Sequence, residues 1–324
     1  MPRAVLIVGA GPSGLATAAC LKQRGVHADL LDRHGVPGGA YRRIYDGITL
    51  ASPTCYAALP GLAPKAGEYI TVPQYRAYLD DYAAHHDLHV RKATVNQLRR
   101  EADGWHAHFD GEAQRYDAVV AATGMFDFPR RPQLDGNVAL PVLHAAQWRG
   151  PAALSGPRVL IIGGATSAIE IAEECARAGL RPTLSVRGRL KIAPQRLLGR
   201  DLHHYIVGPL KWLPRALARA YCAGRQSLPG TDLGFRDWQR RGAITLRGAL
   251  TRSEGRRVRF ADGASEEFDV IIAATGYRFE RPYLPADAKA PGLYLVGAAC
   301  AHSLASEFLY GIADDAQKVA RCLS

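Results

Sequence analysis

The chain carries one phrase twice, and no other feature narrows its fold as much. Val5-Leu6-Ile7-Val8 runs into Gly9-Ala10-Gly11-Pro12-Ser13-Gly14, and 154 positions later Val159-Leu160-Ile161-Ile162 runs into Gly163-Gly164-Ala165-Thr166-Ser167-Ala168. Each is a short, fully apolar run stopped by glycine, the pattern of a buried strand entering a tight turn ahead of a helix. Each copy also closes alike. Tyr116-Asp117-Ala118-Val119-Val120-Ala121-Ala122-Thr123-Gly124 returns at an offset of 152 as Phe268-Asp269-Val270-Ile271-Ile272-Ala273-Ala274-Thr275-Gly276. Two landmarks at nearly one offset imply two nucleotide-binding domains of one plan.

The copies differ in charge where such a fold meets the adenosine ribose. Asp32 stands 23 positions after Gly9 and accepts hydrogen bonds from a free 2′-hydroxyl, whereas Arg187 stands 24 positions after Gly163 and suits a 2′-phosphate. The first site reads as FAD and the second as NADPH. Gly9 permits the bend of the first turn, Gly11 lets backbone approach a pyrophosphate, and Gly14 lets helix and strand close up. In the second copy Ala165 and Ala168 replace the last two glycines, and Arg189 adds a second cation beside Arg187. A chain with both sites is equipped to pass hydride from one cofactor to the other.

At 324 residues the chain exceeds the size at which one core stops growing. Periodicity predicts strands near 4–9, 28–32 and 116–122 and helices near 12–24 and 73–86, the latter with Tyr75, Tyr78, Leu79 and Tyr82 on one face. A second helix-and-strand set opens near Arg158, and a short strand near 292–297 precedes a terminal helix over 305–323. The expected class is α/β: two Rossmann-like dinucleotide-binding domains, the NADPH domain inserted into a discontinuous FAD domain. The boundaries are 1–150 plus 281–324 for FAD and 151–280 for NADPH, with an insertion at 196–238. Within the insertion Tyr205 to Cys222 is basic and mildly amphipathic. An ordinary packed insertion, a substrate lid and a membrane-surface element all fit that pattern.

Lys and Arg number 41 against 30 Asp and Glu, a formal +11. The basic residues are scattered and lack the aromatic interleaving of a nucleic-acid surface, so they read as solvated charge that attracts anionic cofactors. Six cysteines never fall into CxxC spacing and the histidines never into ligand spacing, so no metal site and no dithiol is expected. No GxSxG turn offers a hydrolase nucleophile. A first strand at Ala4 leaves no space for a signal sequence, and no apolar run reaches 18 residues, so the expectation is a cytoplasmic protein without a transmembrane segment. A homodimer is compatible with this reading.

The two turns, Gly38-Gly39-Ala40-Tyr41, the stretch Ile48-Thr49-Leu50-Ala51-Ser52-Pro53 leading to Leu59-Pro60, and Ala274-Thr275-Gly276-Tyr277 together resemble the flavin-containing monooxygenase family. The likeness covers nearly the whole chain and is closest to the short microbial and YUCCA-like branches. It implies FAD, NADPH, dioxygen and a small-molecule substrate, a soft nucleophile or a carbonyl, oxygenated through a C4a-hydroperoxyflavin. It places Gly9, Gly11, Pro12, Ser13, Gly14, Asp32 and Arg33 on the adenosine half of FAD and Gly39, Tyr41 and Arg42 along the flavin. Gly163, Thr166, Ser167 and Arg187 fall to NADPH, and Thr123, Gly124, Thr275 and Gly276 to the crossing between domains. No side chain is singled out as catalytic. The family's linker fingerprint survives as Leu134, Gly136, His144 and Trp148 with extra residues between Gly136 and His144, and Ser52-Pro53 stands where the family has an asparagine near the flavin.

Two other readings share these motifs. One is an NADPH-dependent flavin reductase of thioredoxin-reductase-like type working without a CxxC pair, for which Cys300 is the thiol of interest. The other is a dinucleotide-bound sensor without turnover, to which Ala165 lends support.

Overall fold

The computed structural model describes residues 4–213, 217, 221, 230–232, 234–285 and 290–324. The first unit comprises Val5–Val8 (β1), Pro12–Lys22 (α1), Ala28–Asp32 (β2), Val72–His85 (α2), Val90–Lys92 (β3) and Ala118–Ala121 (β4). The second comprises Val142–His144 (β5), Arg158–Ile162 (β6), Thr166–Arg177 (α3), Arg181–Ser185 (β7), His203–Trp212 (α4), Phe235–Arg240 (α5), Thr245–Arg247 (β8) and Val270–Ala273 (β9). Leu293–Leu295 (β10) and Leu309–Leu323 (α6) complete the chain.

The strands form two parallel sheets of five, ordered β10-β4-β1-β2-β3 and β5-β9-β6-β7-β8. The orders are equivalent once β1 to β4 are matched with β6 to β9. Only the fifth strand has a different origin in each. The first sheet takes it from the returning C-terminal segment, the second from the stretch before β6. β5 thus lies before the boundary expected at 150 yet pairs with β9.

Alternation along the first strand of each sheet accounts for its unbroken apolar run. Val5 and Ile7 face a core shared with α1, α2 and α6, while Leu6 and Val8 face Trp105, Ala107 and Phe109 of a three-stranded antiparallel sheet. In the second unit Val159 and Ile161 pack under α3, and Leu160 packs on Val258, Phe260 and Phe268. A strand covered on both faces has no position for a polar side chain.

Helix α2 starts with a reciprocal cap: Thr71 Oγ1 accepts from Gln74 N at 3.4 Å, and Gln74 Oε1 accepts from Thr71 N at 3.0 Å. The predicted tyrosine face is buried, and its hydroxyls fix the irregular stretch before it. Tyr78 donates to Leu62 O and accepts from Leu59 N, both at 2.7 Å, and Tyr82 donates to Pro60 O at 2.7 Å. The insertion contains a short hairpin, Arg196–Leu197 with Arg200–Asp201, then α4, a strand at Gly230–Asp232 pairing with Ile192–Pro194, and α5. Trp212 at its surface is 85% exposed and Phe235 is fully buried, whereas Cys222 lies outside the described residues.

Helix α1 packs on α6 and is buried along nearly its whole length. A Cβ on Gly14 would lie 1.8 Å from the Gly9 carbonyl oxygen, so the helix cannot keep its place with any side chain there. Replacing Gly14 by Val is expected to destabilise the protein by about 3 kcal/mol, read from the urea unfolding midpoint. An unchanged midpoint would show that helix and strand are not held together at this point.

Candidate functional site

Both glycine turns have the same construction. Gly9 (φ +103°) and Gly163 (φ +146°) take conformations that side chains avoid. A Cβ on Gly9 would meet the Ala122 carbonyl oxygen at 2.7 Å, and one on Gly163 the Ala274 carbonyl oxygen at 2.3 Å. Each turn is thereby pressed against the end of the neighbouring central strand, at the point where strand order reverses and ligands bind in such sheets.

Beyond the first turn the helix start is open. Gly11 caps α1 without a side-chain hydrogen bond, and the first amides of a helix have no intrahelical acceptor. Gly11 itself has an ordinary φ of −73°, so its glycine character serves space rather than conformation. A Cβ there would meet only Gly39 Cα, at 3.9 Å, and otherwise point into the open. A cavity of about 340 Å³ lies at this place.

Gly9, Gly11, Pro12, Ser13, Asp32, Arg33, Gly39, Tyr41, Thr123 and Gly124 line that cavity. Asp32 is oriented by backbone, its Oδ2 accepting from Ala10 N at 3.0 Å and Oδ1 from His34 N at 2.8 Å. Two anticipated residues lie off the wall. Gly14 sits behind it under Gly9, and Arg42 turns away to pair with Asp80 and donate to Pro37 O at 2.6 Å. Arg43 lines the cavity instead, bound to Asp127 at 2.8 Å. Arg33 pairs with the same carboxylate.

Sequence reasoning missed the distal wall, made of Met125 and Phe126 after the β4 turn, Tyr283, and Leu309 and Ile312 at the start of α6. Tyr283 is buried and shares a 3.0 Å hydrogen bond with Thr123 Oγ1. Burial pushes its hydroxyl up to about 12, so it stays protonated. No local motif announces these residues, and Leu309 and Ile312 are brought in only by the return of the chain through β10.

At the second turn Ala165 caps α3 with φ −105° and ψ −177°, close to the backbone of Gly11, so its methyl causes no strain. The buried Ala168 occupies the place of Gly14. Thr166 and Ser167 form the first turn of α3, and Arg187 stands exposed at the end of β7 with no ion pair or hydrogen bond among the described residues. The strand at Gly230–Asp232 crosses this helix start: a Cβ on Gly230 would be 3.3 Å from Thr166 N and 2.1 Å from Ile169 Cδ1.

Thr275 and Gly276 lie on the crossover between units. Thr275 Oγ1 donates to Arg130 O, and the Gly276 carbonyl accepts from Arg130 N at 2.9 Å. Phe128–Pro129 and Tyr277–Arg278 pair as an antiparallel ribbon, which joins the two crossover segments. His144, the surviving fingerprint histidine, anchors it. Ala146 N donates to His144 Nδ1 at 3.0 Å, so the proton resides on Nε2, which donates to the same Gly276 carbonyl at 3.1 Å. Trp148 Nε1 donates to Glu174 Oε2 at 3.0 Å, tying the linker to α3.

Cys20 and Cys175 are buried thiols raised above their ordinary values by burial. Cys300 is disulfide-bonded.

The start of α1 fits a dinucleotide: it is uncapped, opens onto the cavity at a switch point and is followed by Asp32. The start of α3 is uncapped and followed by Arg187 in the same way, but the strand at Gly230–Asp232 lies across it. Residues 6–207 match the pyridine nucleotide-disulphide oxidoreductase family. An indole-3-pyruvate monooxygenase of Oryza sativa subsp. japonica is 33% identical, covering 87% of this chain and 78% of its own. Among solved structures, a flavin-containing monooxygenase from Stenotrophomonas maltophilia superposes with a TM-score of 0.82 at 24% identity, covering 100% of this chain and 98% of its own. A bacillithiol disulfide reductase from Bacillus cereus reaches 0.74 at 19% identity, covering 100% and 99%, so the fold serves both chemistries and the sequence likeness decides between them.

Burial pushes His144 below its ordinary value; the Gly276 hydrogen bond opposes the shift and Arg131 adds to it. Its neutral form therefore contributes stability that is complete above about pH 6.5 and is lost as pH falls through the lowered folded value. Urea midpoints are expected to fall between pH 7.5 and 5.5 by more in the parent than in His144→Gln, and equal losses would exclude the assignment. The chain belongs to the pyridine nucleotide-disulphide oxidoreductase family and, within it, to the flavin-containing monooxygenases, which work with FAD and NADPH.

Proposed function

We propose that this NADPH-dependent flavoprotein monooxygenase oxygenates a small organic acid with a planar aryl group one methylene away from a 2-oxo carboxylate. The substrate class is supported by the relatives that share most of the chain, described as indole-3-pyruvate monooxygenases. The observation that carries the cofactor assignment is the charge difference between the ribose-side residues of two otherwise equivalent turns, Asp32 in the cavity and Arg187 in the open.

In this reading the FAD unit is 1–150 with 281–324 and the NADPH unit is 151–280. Asp32 would hold the ribose hydroxyls of FAD, and the amides at the start of α1 its pyrophosphate. Thr166, Ser167 and the amides of α3 would hold the NADPH pyrophosphate, with Arg187 on the 2′-phosphate. When bound, the pair supplies the two electrons that let dioxygen give one atom to substrate and one to water. The chain's own part is to orient and to exclude solvent. Tyr283 and Thr123 lock each other across the cavity wall, and Phe126, Leu309 and Ile312 give that wall an apolar lining.

The reading is tested with ¹⁸O₂, NADPH and a panel of aryl 2-oxo acids including indole-3-pyruvate. Expected is one ¹⁸O atom in the organic product per NADPH consumed; NADPH oxidation yielding only hydrogen peroxide with every acid would overturn it. Arg187→Ala should reduce the preference for NADPH over NADH about tenfold or more, the effect of losing a charge-assisted contact of roughly 1.5–3 kcal/mol. An unchanged preference would move the 2′-phosphate to another residue.

A further inference from the structure

The two crossover segments pair with each other, so at that ribbon the units are joined as if by a single hinge. A second attachment on other elements is needed to remove rotation about it. The insertion, together with Gln195 just before it, supplies one. Gln195 Nε2 donates to Ala51 O at 2.9 Å, Arg196 pairs with Glu68, His204 Nδ1 and Tyr56 OH lie 2.9 Å apart, and Lys211 pairs with Asp314 at 2.8 Å. In each of these the second residue belongs to the first unit.

These links differ in weight. The Arg196–Glu68 pair is half exposed on both sides, and screened pairs of that kind contribute little. Asp201 is different. Its side chain is wholly buried, and four donors converge on it: Tyr69 OH at 2.7 Å, Gln195 Nε2, and the backbone N and ring Nδ1 of His203, both at 2.7 Å. Burial acts to raise this carboxyl, yet the donors from Tyr69 and His203 hold it below the usual carboxylate range. The bond also sets the His203 ring against Tyr56 and Tyr310. Tyr310 lies in the first turn of α6, between Leu309 and Ile312 of the cavity wall.

We infer that Asp201 is a positioning residue: it clasps the insertion of the NADPH unit onto the FAD unit and holds the two in register for hydride transfer. The inference rests on the two-cofactor reading but not on oxygenation. No bond to Asp201 forms or breaks in the reaction. Its contribution is alignment, which acts on the transfer rate and leaves the affinity of either nucleotide unchanged.

The test joins two measurements on Asp201→Asn and Tyr69→Phe. The second variant removes one hydroxyl and keeps the proposal falsifiable should the first fail to fold. Hydrogen exchange of the cofactor-free protein should show the amides of residues 195–212 exchanging about tenfold faster in each variant, as local opening becomes easier. Rapid mixing of the FAD-loaded protein with NADPH under anaerobic conditions should show flavin reduction slowed about tenfold, with the NADPH concentration for half-maximal rate unchanged. Faster exchange with an unaltered reduction rate would make Asp201 a structural residue only and overturn the inference. Unaltered exchange would overturn it as well, whatever the rate. Failure to oxygenate any substrate would touch neither readout, so it counts against the proposed function alone.

Discussion

The fold rests on backbone pressed against backbone at the end of the central strands. Gly9 against Ala122 and Gly163 against Ala274 leave no space for a side chain, and both glycines have positive φ. The contact aims the start of each following helix at the switch point of its sheet. The uncapped amides at the start of α1, the cavity beside the first turn and the residue at the end of each second strand all follow from where that turn is held.

With the turns equivalent, single residues distinguish the sites. Gly11 and Ala165 share a backbone conformation, so the exchange of glycine for alanine alters the space above the helix and not its geometry. Asp32 is fixed by two backbone amides inside the cavity, while Arg187 stands exposed with no ion pair or hydrogen bond among the described residues. A short carboxylate must be held to meet hydroxyls at a set place. A long guanidinium can reach an exposed phosphate without such support.

Helices α1, α2, α3 and α6, the central strands of both units and the tyrosine face of α2 were legible from periodicity, because each is written within a contiguous stretch, whereas β3, β5 and β8 and the insertion helices α4 and α5 were not. Most of the residues expected around the first nucleotide do line one cavity. Arg42 and Arg43 illustrate the limit: both are arginines after the same glycine pair, and only the position of Asp80 on α2 and Asp127 beyond β4 decides which turns outward. Tyr283, Leu309 and Ile312 were equally illegible, since they belong to no motif: Tyr283 is set by its bond to Thr123, and Leu309 and Ile312 reach the cavity through the path of β10.

By itself the sequence determined that there are two units of one plan and where each turn lies, and it carries the charge difference on which the proposed cofactor assignment rests, since all three are encoded in local runs of residue type. Tertiary structure decided which segment completes each sheet, which residues close the cavity, and where the insertion grips the first unit. Asp201 finds Tyr69 132 positions away, and Asp314 finds Lys211 across 103. Contacts at such separation leave no period in the chain. They arise only after the sheets have formed and their edges have fixed what can meet.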